Sequence, residues 1–293
     1  MQVPLVDCII SHKNCPDGAA CVLLARFINP RVQTVFTNHL EINNNCLRAA
    51  YELPPQGILW ICDICPDQVV FEKILKILSE KNASCHVFEH HISRNWLASY
   101  DLTPFPNCTI LFDTTRCASL ILWTWLKSSM PKIAKWETLV FLVNDRDLWK
   151  NTDPRSTWLF RLHFILDDEG FVTRFLKNSR LASTANEKVI LQYQEKKEEH
   201  RLTALLSTLT VFDHPSGYKY GIIYGTGVGS ELLHQALEQK NLEYAMLVNL
   251  HAKRVAIRSK GNFDCAEYAQ SYGGGGHRCA AGFPISFSFP KID

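Results

Sequence analysis

Short apolar runs recur along the first half of the chain, and several of them stop at residues that can bind a metal. Residues 5–12, 58–63 and 85–91 each begin with apolar or β-branched residues and end in polar ones. Apolar runs of this length, separated by turn signals and helical patterns, predict buried strands of a parallel sheet. Two more strands are predicted at 32–36 and 108–113, and helices at about 17–27, 66–81 and 118–127.

A further apolar run, residues 135–143, leads to Asp145 and Asp147, and we predict it as another strand. The alternation of strands and helices predicts a doubly wound parallel sheet. Strands of such a sheet present their carboxyl ends at one edge, where ligands bind. Four strand ends are therefore expected to bring carboxylates and imidazoles together.

The second half of the chain has a different pattern. Residues 181–207 form a polar helical segment with a charge run at 195–199, which suits a connector between domains or simply a solvated helix face. Strands are predicted beyond it at 208–212, 218–224, 244–250 and 254–259, with a helix at 229–239. We predict an α/β chain with a parallel-sheet domain (1–180), a helical connector (181–207) and a smaller mixed-sheet α/β domain (208–293).

Composition narrows the class of protein. Hydrophobic residues at 46% and charged residues at 20% are typical of a globular protein, and a net charge of +2 gives no overall basic field for long duplex nucleic acid. No apolar run approaches the roughly 18 residues that predict a membrane span, so we expect no membrane association and a cytoplasmic location. The eleven cysteines are expected to be reduced, because several lie in predicted buried strands.

Cys62 and Cys65 form a CxxC pair. Such a pair can be a redox centre or half of a zinc site, but no second CxxC or matching pair of histidines lies nearby. Both roles are disfavoured.

The residues at the strand ends have the chemistry of a metal centre. Two divalent ions about 3.5–4 Å apart need mixed ligands with at least one carboxylate between them. A mixture of His and Asp suits Mn²⁺, and an all-oxygen site suits Mg²⁺. Taken singly, each histidine could be structural, Asp63 could cap the helix that follows it, and Asp145 or Asp147 could pair with Arg146 or Lys150.

A run of four glycines precedes His277 near the C-terminus. Successive glycines let backbone N–H groups approach a phosphate, and the histidine would add a donor. A flexible loop is the alternative, although the small residues 280–282 favour close packing. Arg258, at the end of the preceding predicted strand, adds a guanidinium suited to phosphate.

Together these motifs resemble the DHH phosphoesterase family, which includes RecJ-type exonucleases, oligoribonucleases, cyclic-dinucleotide phosphodiesterases and family II pyrophosphatases. SHKNCPDGAA is similar to the first motif, CDICPD to the second, VFEHHIS to the third and VNDRDLW to the fourth. The GGGGH segment followed by AAGF resembles the C-terminal substrate-binding domain of the nuclease branch. The likeness covers nearly the whole chain.

The resemblance implies roles for individual residues. His12, Asp17 and His90 would bind metal, Asp63 would bridge two ions and take part in catalysis, and His91 would face the scissile phosphate. Asp145 would complete the ligand set, with Asp147 as the second choice. The phosphate and the end of an oligonucleotide would be held by residues of the C-terminal domain: Arg258, Ser259, Gly274, Gly275, Gly276 and His277.

Two positions depart from the family pattern. The first motif usually carries an additional Asp where this chain has Asn14 and Cys15, and a Cys15 thiolate would replace that carboxylate with a softer ligand. The third motif has Glu89 in place of Asp. If this acid orients His90, the longer side chain still reaches it.

The resemblance therefore implies a phosphodiester hydrolase that uses two Mn²⁺ ions, or Mg²⁺, to activate water against short single-stranded oligonucleotides or nucleotides. Its rivals are a phosphatase of bisphosphorylated nucleotides, a cyclic-dinucleotide phosphodiesterase, and a nucleotide-binding module that has lost catalysis. A purely structural role for the His and Asp residues is a further alternative. The oligomeric state stays open, with a homodimer among the candidates.

Overall fold

A computed structural model describes residues 5–215, 217–226 and 229–285. The chain divides into two units, Met1–Leu191 and Gln192–Asp293. The division lies within a long helix, α7 (Ala185–Leu206), in the polar segment that was predicted to be helical. None of the described helices is long and apolar enough to cross a lipid bilayer.

The first unit contains a parallel sheet with the order β2-β1-β3-β4-β5, which confirms the predicted fold class. At least one end of each strand lies within about two residues of its predicted position. The strands are β1 (Cys8–His12), β2 (Gln33–Thr37), β3 (Ile58–Cys62), β4 (Ser84–Glu89) and β5 (Cys108–Phe112).

Helices cover both faces of this sheet. They are α1 (Pro16–Ile28), α2 (Ile42–Glu52), α3 (Gln68–Glu80), α4 (Ala118–Lys127), α5 (Glu137–Asp147) and α6 (Pro154–Lys177). Alternate residues of each strand face opposite sides of the sheet. Ile9 of β1 and Trp60 of β3 pack with α1 and α4, whereas the next residues, Ile10 and Ile61, pack with α2 and α3. The central strands are apolar throughout because both of their faces are buried.

The strand predicted at residues 135–143 was wrong. This segment is a 3₁₀ helix (Pro131–Trp136) that leads directly into α5. A short buried apolar run has no periodicity that separates a helix from a strand, and here α1, α4 and α6 surround it. Three strand ends and one helix end therefore replace the four expected strand ends.

The second unit is built on a mixed sheet with the order β10-β11-β9-β8-β7-β6, as predicted for a smaller α/β domain. Strands β7 and β8 are parallel, and the other neighbouring pairs are antiparallel. The elements are β6 (Thr210–Asp213), β7 (Lys219–Tyr224), α8 (Gly229–Lys240), β8 (Tyr244–Asn249), β9 (Arg254–Ser259), α9 (Cys265–Gln270), β10 (Gly275–His277) and β11 (Ala280–Pro284).

Candidate metal centre

The candidate centre is formed where three strands and one helix of the first unit end. His12 is the last residue of β1, Asp63 follows β3, and His90 follows β4. Asp147 is the last residue of α5. Parallel strands present their carboxyl ends at one edge, so these side chains converge.

Asp63 lies in the middle of the cluster. Its Oδ1 is 3.1 Å from His90 Nε2, and its Oδ2 is 3.5 Å from His12 Nδ1. Burial would raise the pKa of Asp63, but the two imidazoles outweigh burial and hold that pKa well below its usual value. Asp63 is therefore a carboxylate that contacts a different histidine with each oxygen.

The backbone of Asp63 is held in an unfavourable conformation. Its φ is 60°, in the left-handed region that costs a non-glycine residue roughly 1–3 kcal/mol. Its N–H still donates to Phe88 O at 3.0 Å, which continues the β3–β4 pairing beyond the strand end. The strain therefore coincides with the residue at the centre of the cluster.

His90 is surrounded by acids. Its Nε2 lies 3.6 Å from Asp147 Oδ2 and 3.9 Å from Asp17 Oδ2, in addition to its contact with Asp63. Burial would lower the pKa of His90, but the three carboxylates, Asp147 first, raise it to about 10. The excess of negative charge around this imidazole favours a bound cation, whether a proton or a metal ion.

Asp17 links the cluster to a helix start. Its carboxylate accepts hydrogen bonds from Ala118 N (2.7 Å) and Ser119 N (2.9 Å), the first two residues of α4. Burial and then the charges of Asp63 and Asp147 raise the pKa of Asp17 to about 7. Asp17 thus satisfies helix donors that have no intrahelical partner while facing the other acids.

Gly18 lets α1 begin close to the end of β1. A Cβ at this position would lie 2.2 Å from His12 O, so any side chain would collide with backbone. The Ser11 hydroxyl donates to Gly18 O at 2.9 Å, which fixes the same approach. The glycine of the first motif therefore sets how near His12 and Asp17 lie.

Two groups of three possible ligands lie within the first unit. The first contains His12, Cys15 and Asp63, and the second Asp17, His90 and Asp147; within each, one ligand atom per residue lies within 4.8 Å of the others. Asp63 also contacts His90, a member of the second group. The carboxylate of Asp63 is therefore placed to be shared.

Several polar atoms of the cluster are shielded from solvent without a hydrogen-bond partner among the described residues. They are His12 Nδ1, Asp63 Oδ2, Asp147 Oδ2 and Glu89 Oε2. An unsatisfied buried polar group costs about 1–3 kcal/mol, and more when it is charged. Cations would satisfy the imidazole and carboxylate atoms of the two groups, so the residues present fit metal ions.

Glu89 holds the third motif in shape. Its Oε1 accepts hydrogen bonds from His90 N (2.7 Å), His91 N (2.9 Å) and His91 Nδ1 (2.6 Å). Burial would raise the pKa of Glu89, but His91 outweighs burial and lowers that pKa to about 2. Glu89 therefore orients the ring of His91, whereas the sequence suggested His90.

The two acids of the fourth motif lie in different surroundings. Asp145 accepts hydrogen bonds from Thr152 N (2.9 Å), the Thr152 hydroxyl and Asp153 N (3.3 Å), and so fixes the loop between α5 and α6. Asp147 is the acid beside His90. The preference for Asp145 depended on a strand end that the structure does not contain, and the geometry favours Asp147.

A residue that the sequence analysis missed supports the first motif. Asp168 accepts from Asn14 N at 2.9 Å with one oxygen and lies 2.8 Å from His163 Nε2 with the other. It follows Asp167, whose φ of 58° interrupts α6. The loop that carries Cys15 is therefore anchored by a residue about 150 positions away, and no local pattern indicates the contact.

The glycine run of the second unit forms part of a hairpin. In the antiparallel pair β10–β11, Gly275 lies opposite Gly282 and His277 opposite Ala280. A Cβ on Gly274 would lie 2.2 Å from Gly282 O, and Gly276 has a φ of 144°. Close packing therefore requires at least these two glycines, and phosphate binding by the segment stays a prediction.

Arg258 and Ser259 also have structural contacts. Arg258 Nη1 donates to Ile257 O at 2.9 Å, and the Ser259 hydroxyl donates to Phe263 O at 2.6 Å. In the first unit, Cys62 and Cys65 are buried, and neither belongs to a group of possible metal ligands among the described residues.

A scan against protein-family models finds no match, and a search of curated proteins finds none either. Solved structures do match. The DHH domain of a protein described as a member of a ribosomal-protein family has a TM-score of 0.62 at 15% identity, covering 95% of this chain and 82% of that one. The chain has the fold of the DHH phosphoesterases.

Two further structures share the DHH fold. An exopolyphosphatase-related protein from Bacteroides fragilis has a TM-score of 0.56 at 13% identity, covering 96% of this chain and 87% of that one. A pGpG-specific phosphodiesterase from Vibrio cholerae has a TM-score of 0.54 at 13% identity, covering 96% and 93%. At these identities the likeness establishes the DHH fold, and the chemistry rests on the residues described above.

Proposed function

We propose that the chain is a metal-dependent phosphoesterase that hydrolyses phosphodiester bonds of short oligonucleotides or nucleotides. The observation that carries this proposal is the position of Asp63, a strained and buried carboxylate between two groups of possible metal ligands. One carboxylate that contacts both ligand groups could hold two ions close together, as two-metal hydrolysis uses them.

The ligands of the proposed centre are His12 and Asp63 for one ion, and Asp17, His90 and Asp147 with Asp63 for the other. Mixed imidazole and carboxylate ligands favour Mn²⁺ over Mg²⁺. Bound ions would supply Lewis acidity and lower the pKa of a coordinated water.

We assign to His91 the role of acting on the substrate. Its Nδ1 donates to the Glu89 carboxylate at 2.6 Å, so this nitrogen carries the proton and the ring orientation is fixed. Nε2 is then the atom that can act on a phosphate oxygen, as a donor when the ring is protonated. Glu89 is a positioning residue in this scheme, because it acts through His91.

Three observations support a small nucleotide substrate. A net charge of +2 provides little attraction for a long polyanion. One protein with this fold is a pGpG-specific phosphodiesterase. In the second unit, Tyr272 directly precedes the glycine run and is 54% exposed, with its ring stacked on Phe283 at 5.0 Å, so it offers a face to a base.

The test is a substrate panel with the purified full chain and Mn²⁺: a linear dinucleotide, a cyclic dinucleotide, 3′,5′-bisphosphorylated adenosine, a long single strand and pyrophosphate. We expect mononucleotide release from the linear dinucleotide, and faster turnover of that compound than of any other. Faster turnover of the bisphosphorylated nucleotide or the cyclic dinucleotide would transfer the assignment to that substrate.

Asp63→Asn removes the shared carboxylate, and Asp113→Asn is its matched control. Asp113 also follows a strand of the parallel sheet, but its carboxylate binds Thr115 and Arg116 and belongs to neither ligand group. Tight nucleotide binding by the wild type without any product would reject the hydrolase and identify a binding module instead.

A further inference from the structure

Cys15 lies in the first motif between His12 and Asp17, and its surroundings are those of a metal ligand. It precedes α1 as the N-cap residue, with an extended backbone (φ −133°, ψ 125°). Its sulfur, an imidazole nitrogen of His12 and a carboxylate oxygen of Asp63 all lie within 4.8 Å of one another. Sulfur, nitrogen and oxygen donors therefore lie close enough together to bind an ion at one point.

A second observation indicates that this point binds a cation. Asp63 is 1% exposed, and its Oδ2, the oxygen on the His12 side, is shielded from solvent without a hydrogen-bond partner among the described residues. His12 Nδ1 is in the same condition. These two atoms lie 3.5 Å apart and share no hydrogen bond, so a cation bound by both would satisfy both.

We propose that Cys15 binds one of the two metal positions as a thiolate, so that this position selects a softer divalent ion such as Zn²⁺, Co²⁺ or Fe²⁺. The other position, formed by Asp17, His90 and Asp147, has oxygen and nitrogen ligands only and suits a harder ion such as Mn²⁺. The inference rests on the proposed metal-dependent function and adds that the two positions differ in ion preference.

Binding at this position exchanges a proton for a metal ion. The sulfur–hydrogen bond of Cys15 breaks, the proton leaves to solvent, and the sulfur lone pair forms the bond to the ion. His12 would bind through a neutral imidazole nitrogen, so a proton held there beside Asp63 would also leave to solvent, and Asp63 would bind through a carboxylate oxygen. No oxidation or further reactant is needed.

The rival role for Cys15 is structural, because it occupies the N-cap position of α1, although its side chain makes no capping hydrogen bond there. Serine is among the best N-cap residues. If Cys15 has only this structural role, Cys15→Ser should keep or raise the melting temperature and leave metal binding unchanged. If Cys15 binds metal, Cys15→Ser should lose the sulfur donor while suiting the N-cap position.

The experiment is a Co²⁺ titration of the metal-depleted full chain, followed by absorption. A bond between cysteine sulfur and Co²⁺ gives an intense charge-transfer band in the near ultraviolet, which nitrogen and oxygen ligands do not give. We expect the band in the wild type, its loss in Cys15→Ser, and its retention in Cys279→Ser, which removes an exposed thiol of the second unit.

Affinity provides the second readout. Competition with a chromophoric chelator should show that Cys15→Ser weakens Zn²⁺ binding by at least about tenfold, since even outer partners of ligands contribute 10–100-fold. Cys15→Asp should shift preference towards Mn²⁺. A band that persists in Cys15→Ser, or two bound ions without any band in the wild type, would overturn the inference.

These outcomes separate the inference from the proposed function. A Co²⁺ band that depends on Cys15 in a chain that hydrolyses nothing would keep the thiolate ligand and reject the hydrolase. If the chain hydrolyses substrate with metal and the Cys15→Ser variant binds every ion like the wild type, the hydrolase would be kept and the thiolate ligand rejected.

Discussion

The two units differ in whether the buried polar atoms of the regions described above have hydrogen-bond partners. At the strand ends of the first unit, His12 Nδ1, Asp63 Oδ2 and Asp147 Oδ2 are shielded from solvent without hydrogen-bond partners among the described residues. In the hairpin of the second unit, β10 pairs with β11, and Gly274 N donates to Ala269 O at 2.8 Å. A cation would satisfy the atoms of the first region, whereas packing already satisfies the second, so substitutions should affect the two regions differently.

The largest expected effect concerns activity in the first region. Asp63→Asn removes the charge that both ligand groups share, and we expect kcat to fall at least about 100-fold, the loss typical of one preorganised electrostatic group. Steady-state kinetics with the best substrate of the panel will measure this fall. A variant within a few-fold of wild type would show that Asp63 is structural.

In the hairpin the largest effect should be on stability. Gly274→Ala places a Cβ 2.2 Å from Gly282 O, and we expect roughly 3 kcal/mol of destabilisation. Gly273→Ala is the matched control, because Gly273 has a φ of 73° but open space around its Cβ, so only about 1 kcal/mol is expected. Urea denaturation will compare the two, and equal losses would contradict the packing explanation.

Metal should stabilise the wild type through Asp147 and not through Asp145. At a concentration about 100 times its dissociation constant, an ion adds about 2.7 kcal/mol per site. Asp147→Asn should lose much of the rise in melting temperature caused by Mn²⁺. Asp145→Asn should lower the melting temperature with and without Mn²⁺, since it frees the α5–α6 loop. If Mn²⁺ stabilised Asp147→Asn as much as the wild type but failed to stabilise Asp145→Asn, Asp145 would be the ligand.

The pH dependence of stability should reflect the ionisation of Glu89. Because folding lowers the pKa of Glu89 from 4.5 to about 2, its contribution is present above about pH 4.5 and is lost as pH falls towards 2. Relative to Glu89→Gln, the metal-free wild type should lose stability across that range. The difference in melting temperature between the two chains should become smaller as the pH falls. A difference that does not change with pH would show that the ionisation of Glu89 does not contribute to stability.

The smallest expected effect is on substrate affinity. Tyr272→Ala should raise KM about fivefold, the lower end of the 1–3 kcal/mol that a stacked base contributes, because the ring is partly exposed. Tyr272→Phe keeps the ring and should leave KM near the wild-type value. A KM unchanged by Tyr272→Ala would remove this residue from the substrate site.

Much of the parallel sheet could be predicted from sequence because β1, β3 and β4 are short apolar runs with polar ends. The same rule failed at α5, most of whose apolar residues are buried. The spacing of Val140, Val143, Asn144 and Asp147 (i, i+3, i+4, i+7) does follow one helix face, and it indicates that Asp147 points inward.

Other parts of the candidate site depend on contacts between distant segments. Asp168 holds Asn14, and Asp17 holds the start of α4, across about 150 and 100 positions respectively. Propensity and periodicity describe neighbours along the chain, so neither contact has a local signal. The glycine run was recognised, but the backbone of β11 that demands Gly274 appears only in three dimensions.

The carboxylate of Asp17 serves two purposes, since it accepts the first amides of α4 and also faces the acidic cluster. In a deep mutational scan that scores cellular abundance separately from turnover, Asp17 should be intolerant in both assays. His12, which holds no helix, should be intolerant in the turnover assay alone. A screen that scores abundance only would therefore group Asp17 with the interior leucines and overlook His12.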